Sequence, residues 1–237
     1  MESKSWRFFR NVANTYGGKS SNENDARTND GKDSNNNQKH VTDRENERNP
    51  WKIIAMNIRG LLTESSISKA EYLGDHAKDN KVVLMNIMET WLNDTITENA
   101  EIKGYKVYRG DRKGRKCGGT AIYLYDRLEA NVICEISYEK CEMIAINIPE
   151  IQTVNIVIYR PPKTKLKEFE EILNKVNEIF EKLEKPDPTI ILSGDFNFPF
   201  VDWNRMPSGG CTWRYKKGTK VNKDEKRQFR RLMKICD

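Results

Sequence analysis

The 237-residue sequence predicts an α+β protein, a layered α/β sandwich and not a doubly wound parallel sheet. Two observations lead there. Eight short β-patterned segments follow one another with only three helical patterns among them. The segment KVVLMNIM at 81–88 is nearly continuous in apolar residues, as expected for a strand covered on both faces.

The elements follow in chain order. Trp6, Phe8 and Phe9 beside Arg7 and Arg10 make a small amphipathic start of one or two helical turns. Residues 17–49 are Asn, Asp, Ser, Lys and Glu with almost no apolar side chain. Such a stretch cannot bury enough surface to offset its ordering entropy. Residues 1–50 therefore read as a disordered polar N-terminal region ahead of a domain over 51–237. KIIAMNI at 52–58 is a strand delivering Asn57 near its end. Ser65 or Ser66 caps a helix to Asn80, with Ile67, Ala70, Leu73 and Ala77 on one stripe. The strand at 81–88 delivers Glu89. Strands follow at 105–109, 120–125, 130–137, 142–148 and 154–159, the last stopped by Pro161-Pro162. Apolar residues at helical spacing from Leu166 to Leu183 mark the strongest helix, over 164–185. In PTIILSGDFNFP the strand 189–192 gives way to Ser193-Gly194, where the glycine lets the backbone turn, and Asp195 and Asn197 emerge facing one way with Phe196 the other. A Trp- and Gly-containing loop and a basic helix over 223–236 complete the chain.

The formal charge of +6 is unevenly spread. Residues 1–50 carry nine basic and eight acidic side chains, whereas 214–237 carry ten and three, which favours a polyanionic partner. Five cysteines without a CxxC pair argue against a disulfide framework or zinc site and for a reducing compartment. No apolar run approaches the ~20 residues of a membrane span, and MESKSWRFFRNV is not a secretory leader. The expected setting is intracellular, nuclear or cytoplasmic, and not secreted or membrane-bound.

Four strand ends deliver polar groups: Asn57, Glu89, Tyr159, and Asp195 with Asn197. At comparable positions they suggest one rim. Two carboxylates among such oxygens suit a hard cation such as Mg²⁺ (or Mn²⁺) and hydrolysis of a phosphoester. Each residue also has a plain structural reading: an Asx-rich turn for GDFN, a core-covering aromatic for Tyr159, a loop carboxylate for Glu89. Arg109, Arg112, Lys113, Arg115 and Lys116 form a basic loop suited to phosphate contacts. Trp213, Arg214, Tyr215, Lys216 and Lys217 interleave rings with cations, a pattern suited to DNA or equally to a solvated surface.

The ordered motifs MNIRG, METWL, YRGDRKGRKCGGTAIYL, IYRPP and SGDFNFPFVDW resemble those of the endonuclease/exonuclease/phosphatase superfamily. More narrowly they resemble the apurinic-endonuclease-like domain of non-LTR retrotransposons, an element type that also encodes a reverse transcriptase. The resemblance covers about Trp51 onward. It implies a DNase-like fold, a β-sandwich of two mixed sheets flanked by helices. It also implies roles: Glu89 for the metal with Asn57 in its shell, Tyr159 for a phosphate oxygen, Asp195 for the attacking water, and Asn197 supporting Asp195 and the phosphate. Two departures accompany it. The family's closing Ser-Asp-His motif is absent, since the two histidines, His40 and His76, both precede Glu89; the resemblance thus implies a fold incomplete at the C-terminus. Arg59 also stands where some relatives place an acidic ligand. Losing one transition-state contact commonly costs ~10²–10³ in rate. A DNA-nicking endonuclease, a remnant that only binds nucleic acid, and a phosphatase of the same superfamily therefore all remain open at this point.

Overall fold

The computed structural model describes residues 6–10, 52–62, 69–93, 100–114, 117–138, 140–183, 188–205 and 211–236. One compact unit comprises Met1–Ala13 with Trp51–Asp237. The other, Asn14–Pro50, lies outside the described residues, as does the disorder expected of 17–49. In order the strands are β1 (Trp6–Arg10), β2 (Lys52–Asn57), β3 (Val82–Met88), β4 (Tyr105–Gly110), β5 (Thr120–Tyr125), β6 (Asn131–Tyr138), β7 (Cys141–Ile148), β8 (Thr153–Tyr159), β9 (Thr189–Asp195), β10 (Val201–Arg205) and β11 (Cys211–Tyr215). The helices are α1 (Lys69–Asp79), α2 (Leu166–Glu181) and α3 (Lys223–Cys236).

Two mixed sheets form the sandwich that the sequence leads one to expect. One has the order β1-β9-β8-β7-β6, with β8 and β9 parallel and β6, β7 and β8 antiparallel. The other is β2-β3-β5-β4, with β2 and β3 parallel and β5 antiparallel to both β3 and β4. Their central strands read as continuous apolar runs because every second residue serves a different layer. On β7, Met143 and Ala145 join α2 and α3 in one core, while Ile144, Ile146 and Ile148 face the opposite sheet. On β3, Met85 and Ile87 pack with Leu73 and Ala77 of α1, while Leu84 and Met88 enter the space between sheets.

That middle layer holds a polar knot. Asn86 of β3 and Asn155 of β8 exchange amide hydrogen bonds at 2.9 Å in both directions, and Asn86 Nδ2 also donates to Ser193 Oγ of β9 at 2.8 Å. All three residues are fully buried. A buried amide needs partners, so only one sheet-to-sheet register satisfies both asparagines.

Three expectations change. Trp6–Arg10 is not a helical start in a disordered region but a strand paired in parallel with β9. Aromatic residues favour extended backbone, and the exposed edge of β9 offers unpaired amides to satisfy. The loop after GDFN contains a hairpin, β10–β11, with Trp203 opposite Trp213. Its sequence sign was two aromatic segments around Pro207, Ser208, Gly209 and Gly210. Finally, β9 runs on through Ser193 and Gly194 to Asp195. Gly194 serves close approach and not a turn: a Cβ there would lie 2.2 Å from the Ile158 carbonyl oxygen. Gly194→Ala should accordingly lower stability by about 1–3 kcal/mol, read from the urea midpoint at unchanged slope.

Candidate phosphoester site

Parallel pairing decides where the strand ends meet. Asn57 is registered beside Met88, immediately before Glu89, and Tyr159 is registered beside Asp195. Parallel neighbours finish at the same edge, so two parallel pairs in facing sheets bring four ends to one rim. Asn57, Glu89, Asp195 and Asn197 are half-buried there and Tyr159 is buried.

The hydrogen bonds make one connected group. Asn57 Nδ2 donates to Glu89 Oε1 and to Asp195 Oδ2, each at 2.7 Å. Tyr159 OH donates to the same Glu89 Oε1 at 2.8 Å. The Asn197 backbone N–H donates to Asp195 Oδ1 at 3.1 Å, while its side-chain amide donates to the Arg160 carbonyl at 2.8 Å. Support of Asp195 thus comes from the Asn197 backbone, with the Asn197 side chain tied into the turn. Asn57 is aimed in turn by Arg59, whose N–H donates to Asn57 Oδ1 at 3.1 Å. Lys69 of α1 holds that loop by donating to the carbonyls of Ile58 at 2.7 Å and Arg59 at 3.1 Å.

The backbone around Glu89 is unusual. Glu89 (φ 55°) and Trp91 (φ 57°) are both left-handed, an uncommon state for residues with side chains. It is held from two sides. Gly60 N–H donates to Glu89 O at 2.8 Å, and Trp91 N–H donates to Gly118 O at 2.9 Å. The Trp91 ring covers Gly60, where a Cβ would lie 2.7 Å from it.

Behind the rim lies an ion pair that the sequence did not disclose. Glu142 of β7 is fully buried and accepts from Arg112 Nε and from Arg112 Nη2, the latter at 3.0 Å. Arg112 also donates to the Lys140 carbonyl at 2.7 Å, and its guanidinium lies 5.6 Å from the centre of the Tyr159 ring. Burial raises the Glu142 carboxyl, and Arg112 opposes that rise. Burial, followed by its bond to Glu89, also raises the Tyr159 phenol. The available sign was an acid inside the apolar run CEMIAINI.

This changes the reading of the basic loop. Arg112 serves Glu142, and Arg109 donates to Asp111 Oδ2 at 2.5 Å and to the Asn93 carbonyl at 2.7 Å. A guanidinium with several donors takes the nearest acids the fold supplies, so neither is a spare surface cation. Lys113 is exposed; Arg115 and Lys116 lie outside the described residues. Trp213 stands in β11, Arg214 is exposed with Asp202 3.1 Å away, and Lys216 and Lys217 are exposed. His76 sits on α1 against Tyr72 and Asn80 and belongs to no bond at the rim.

The two carboxylates, Glu89 and Asp195, are the oxygen donors here that suit a hard divalent cation; Asn57 turns its amide N–H towards both, and the Asn197 side chain is committed to the Arg160 carbonyl. Among the described residues no group of three or more His, Cys, Asp or Glu gathers, so an ion here would keep several waters.

No protein-family model and no curated protein sequence matches the chain. Among solved structures it is similar to TDP2 from C. elegans at 15% identity and TM-score 0.46, over 64% of this chain and 52% of that one. It is similar to the endonuclease domain of TRAS1, a telomere-specific non-LTR retrotransposon, at 15% identity and TM-score 0.47, over 78% and 72%. An AP endonuclease from Archaeoglobus fulgidus gives 16% identity and TM-score 0.49, over 78% and 71%. The chain thus spans about half the length of the TDP2 structure.

Removing Glu142 strands a mostly buried guanidinium. Glu142→Leu is expected to cost about 3–5 kcal/mol in chemical denaturation, far more than the loss of an exposed pair such as Arg214–Asp202.

Proposed function

We propose that the chain is a divalent-metal-dependent phosphodiesterase domain of the endonuclease/exonuclease/phosphatase superfamily, acting on DNA as a nicking endonuclease of the kind found in non-LTR retrotransposons. One observation carries the reading. Glu89 and Asp195, 106 positions apart in the sequence, accept hydrogen bonds from a single Asn57 amide, with Tyr159 donating to the first of them. Two carboxylates are not drawn together by packing; a polyanionic substrate handled through a cation gives their proximity a use.

Glu89 and Asn57 would hold Mg²⁺ (or Mn²⁺), which when bound supplies a Lewis acid for the phosphate's developing charge. Asp195 aligns the attacking water and takes its proton. The Asn197 N–H fixes one Asp195 oxygen, leaving the other to face Asn57. Tyr159, a buried phenol at the rim, would donate a hydrogen bond to a phosphate oxygen. Lys113, Arg214 and Lys216, all exposed, contact backbone phosphates. Trp213, Arg115 and Lys116 are included in the proposed contacts with DNA.

Supercoiled plasmid should be nicked in Mg²⁺ and not in EDTA. Glu89→Ala or Asp195→Ala should reduce the rate at least ~10²–10³-fold, and an intact rate in either would refute the assignment. Thermal stabilisation by Mg²⁺, lost in Glu89→Ala, provides a readout independent of turnover. Lys113→Ala and Lys216→Ala should each weaken DNA binding and lower the salt slope by about one in anisotropy titrations, while Arg112→Lys should leave that slope unchanged.

A further inference from the structure

Arg160 is the largest fully buried side chain among the described residues, and none of their carboxylates lies within ion-pair distance of it. Its guanidinium rests 4.3 Å from the centre of the Phe198 ring and 5.6 Å from that of Phe169. Burial pulls it down to about 10 from the usual arginine value. An apolar side chain of similar volume would fill this space at less cost. Packing therefore does not explain a guanidinium here; its hydrogen bonds do.

Those bonds converge on one turn. Arg160 Nη1 donates to the carbonyls of Phe196 at 3.0 Å and Asn197 at 3.2 Å. The Arg160 backbone N–H donates to Asp195 O at 2.9 Å, and the Arg160 carbonyl accepts the Asn197 side-chain amide at 2.8 Å. Every residue from Asp195 to Asn197 is thus bonded to Arg160. The turn itself needs such a hold, because Asn197 is left-handed (φ 47°), and within it the Asn197 N–H donates to Asp195 Oδ1. On its far side Arg160 Nε donates to Gln228 Oε1 of α3 at 2.7 Å, and Gln228 Nε2 donates to the Thr164 carbonyl at 3.0 Å. Gln228 is itself buried, so α3 supplies the brace that sets the plane of the guanidinium.

We infer that Arg160, braced by Gln228 of α3, is the positioning residue for the Asp195–Asn197 turn. It acts through the turn: Nη1 holds the Phe196 and Asn197 carbonyls while Nε is braced by Gln228, two separate nitrogens in one plane that a lysine's single ammonium lacks. The inference deepens the proposed function, since it gives Asp195 its direction in that same site, and it rests on that reading for its kinetic consequence.

Two measurements on the full chain test it. In hydrogen exchange, Arg160→Ala and Gln228→Leu should raise exchange of peptides covering 195–200 roughly tenfold, with peptides of β3 and β7 unchanged. In plasmid nicking, Arg160→Lys and Gln228→Leu should lower kcat about 10- to 100-fold with KM within about twofold, and N-ethylguanidine should restore part of the rate to Arg160→Ala but none to Asp195→Ala. Unchanged exchange at 195–200 in Gln228→Leu, or loss of protection spread evenly over the molecule, overturns the inference, and so does full activity in Arg160→Lys. If Arg160→Ala does not fold, Gln228→Leu, which leaves the guanidinium in place, decides alone. A wild-type chain that nicks nothing refutes the phosphodiesterase reading, while the exchange measurement still judges the positioning role.

Discussion

Two carboxylates held against their mutual repulsion set the terms for this molecule. Glu89 Oε1 and Asp195 Oδ2 each lie 2.7 Å from one nitrogen, so they are at most about 5.4 Å apart. At that separation two unit charges repel by about 3 kcal/mol at the effective dielectric of a protein surface. The Asn57 amide offsets part of this, and the fold bears the rest. Each carboxylate sits at the end of a strand in a different sheet, so the seating of one sheet on the other sets how near their backbones come.

The interior polar groups oppose sliding of one sheet on the other. Hydrophobic contact between β3, β5, β7 and β8 is non-directional and would tolerate small displacements. The reciprocal Asn86–Asn155 bonds would not, because a shift of one residue would leave two buried amides without partners. Arg112 with Glu142 ties the loop after β4 to β7 beneath Tyr159, and Arg160 with Gln228 ties the GDFN turn to α3. Apolar burial thus stabilises the sandwich, while directional bonds set where its rim lies.

The rim's accessible chemistry follows from the same arrangement. The backbone at Glu89 and Asn197 is left-handed, and each is held by bonds from neighbouring segments and not by local preference. The backbone of both residues is therefore fixed by the fold before anything binds, as the proposed site would require.

The sequence by itself determined the layers and the candidate residues. Continuous apolar strands required cover on both faces, the helical period of 166–183 required a partner sheet, and Asn57, Glu89, Tyr159, Asp195 and Asn197 were marked by their places at strand ends. Those signals are local, being carried by spacing within a dozen residues. Tertiary structure alone decided what depends on distant neighbours. Gly194 reads as a turn residue until β8 passes 2.2 Å from where its Cβ would be. Trp6–Arg10 reads as an amphipathic start until β9 offers it an edge. Arg112 reads as a DNA contact until Glu142 claims it, and Arg160 reads as one more cation in YRPP until it is found beneath the turn it holds. A charge or a glycine has no fixed meaning along the chain, because its energy is set by what the fold brings within a few ångströms of it.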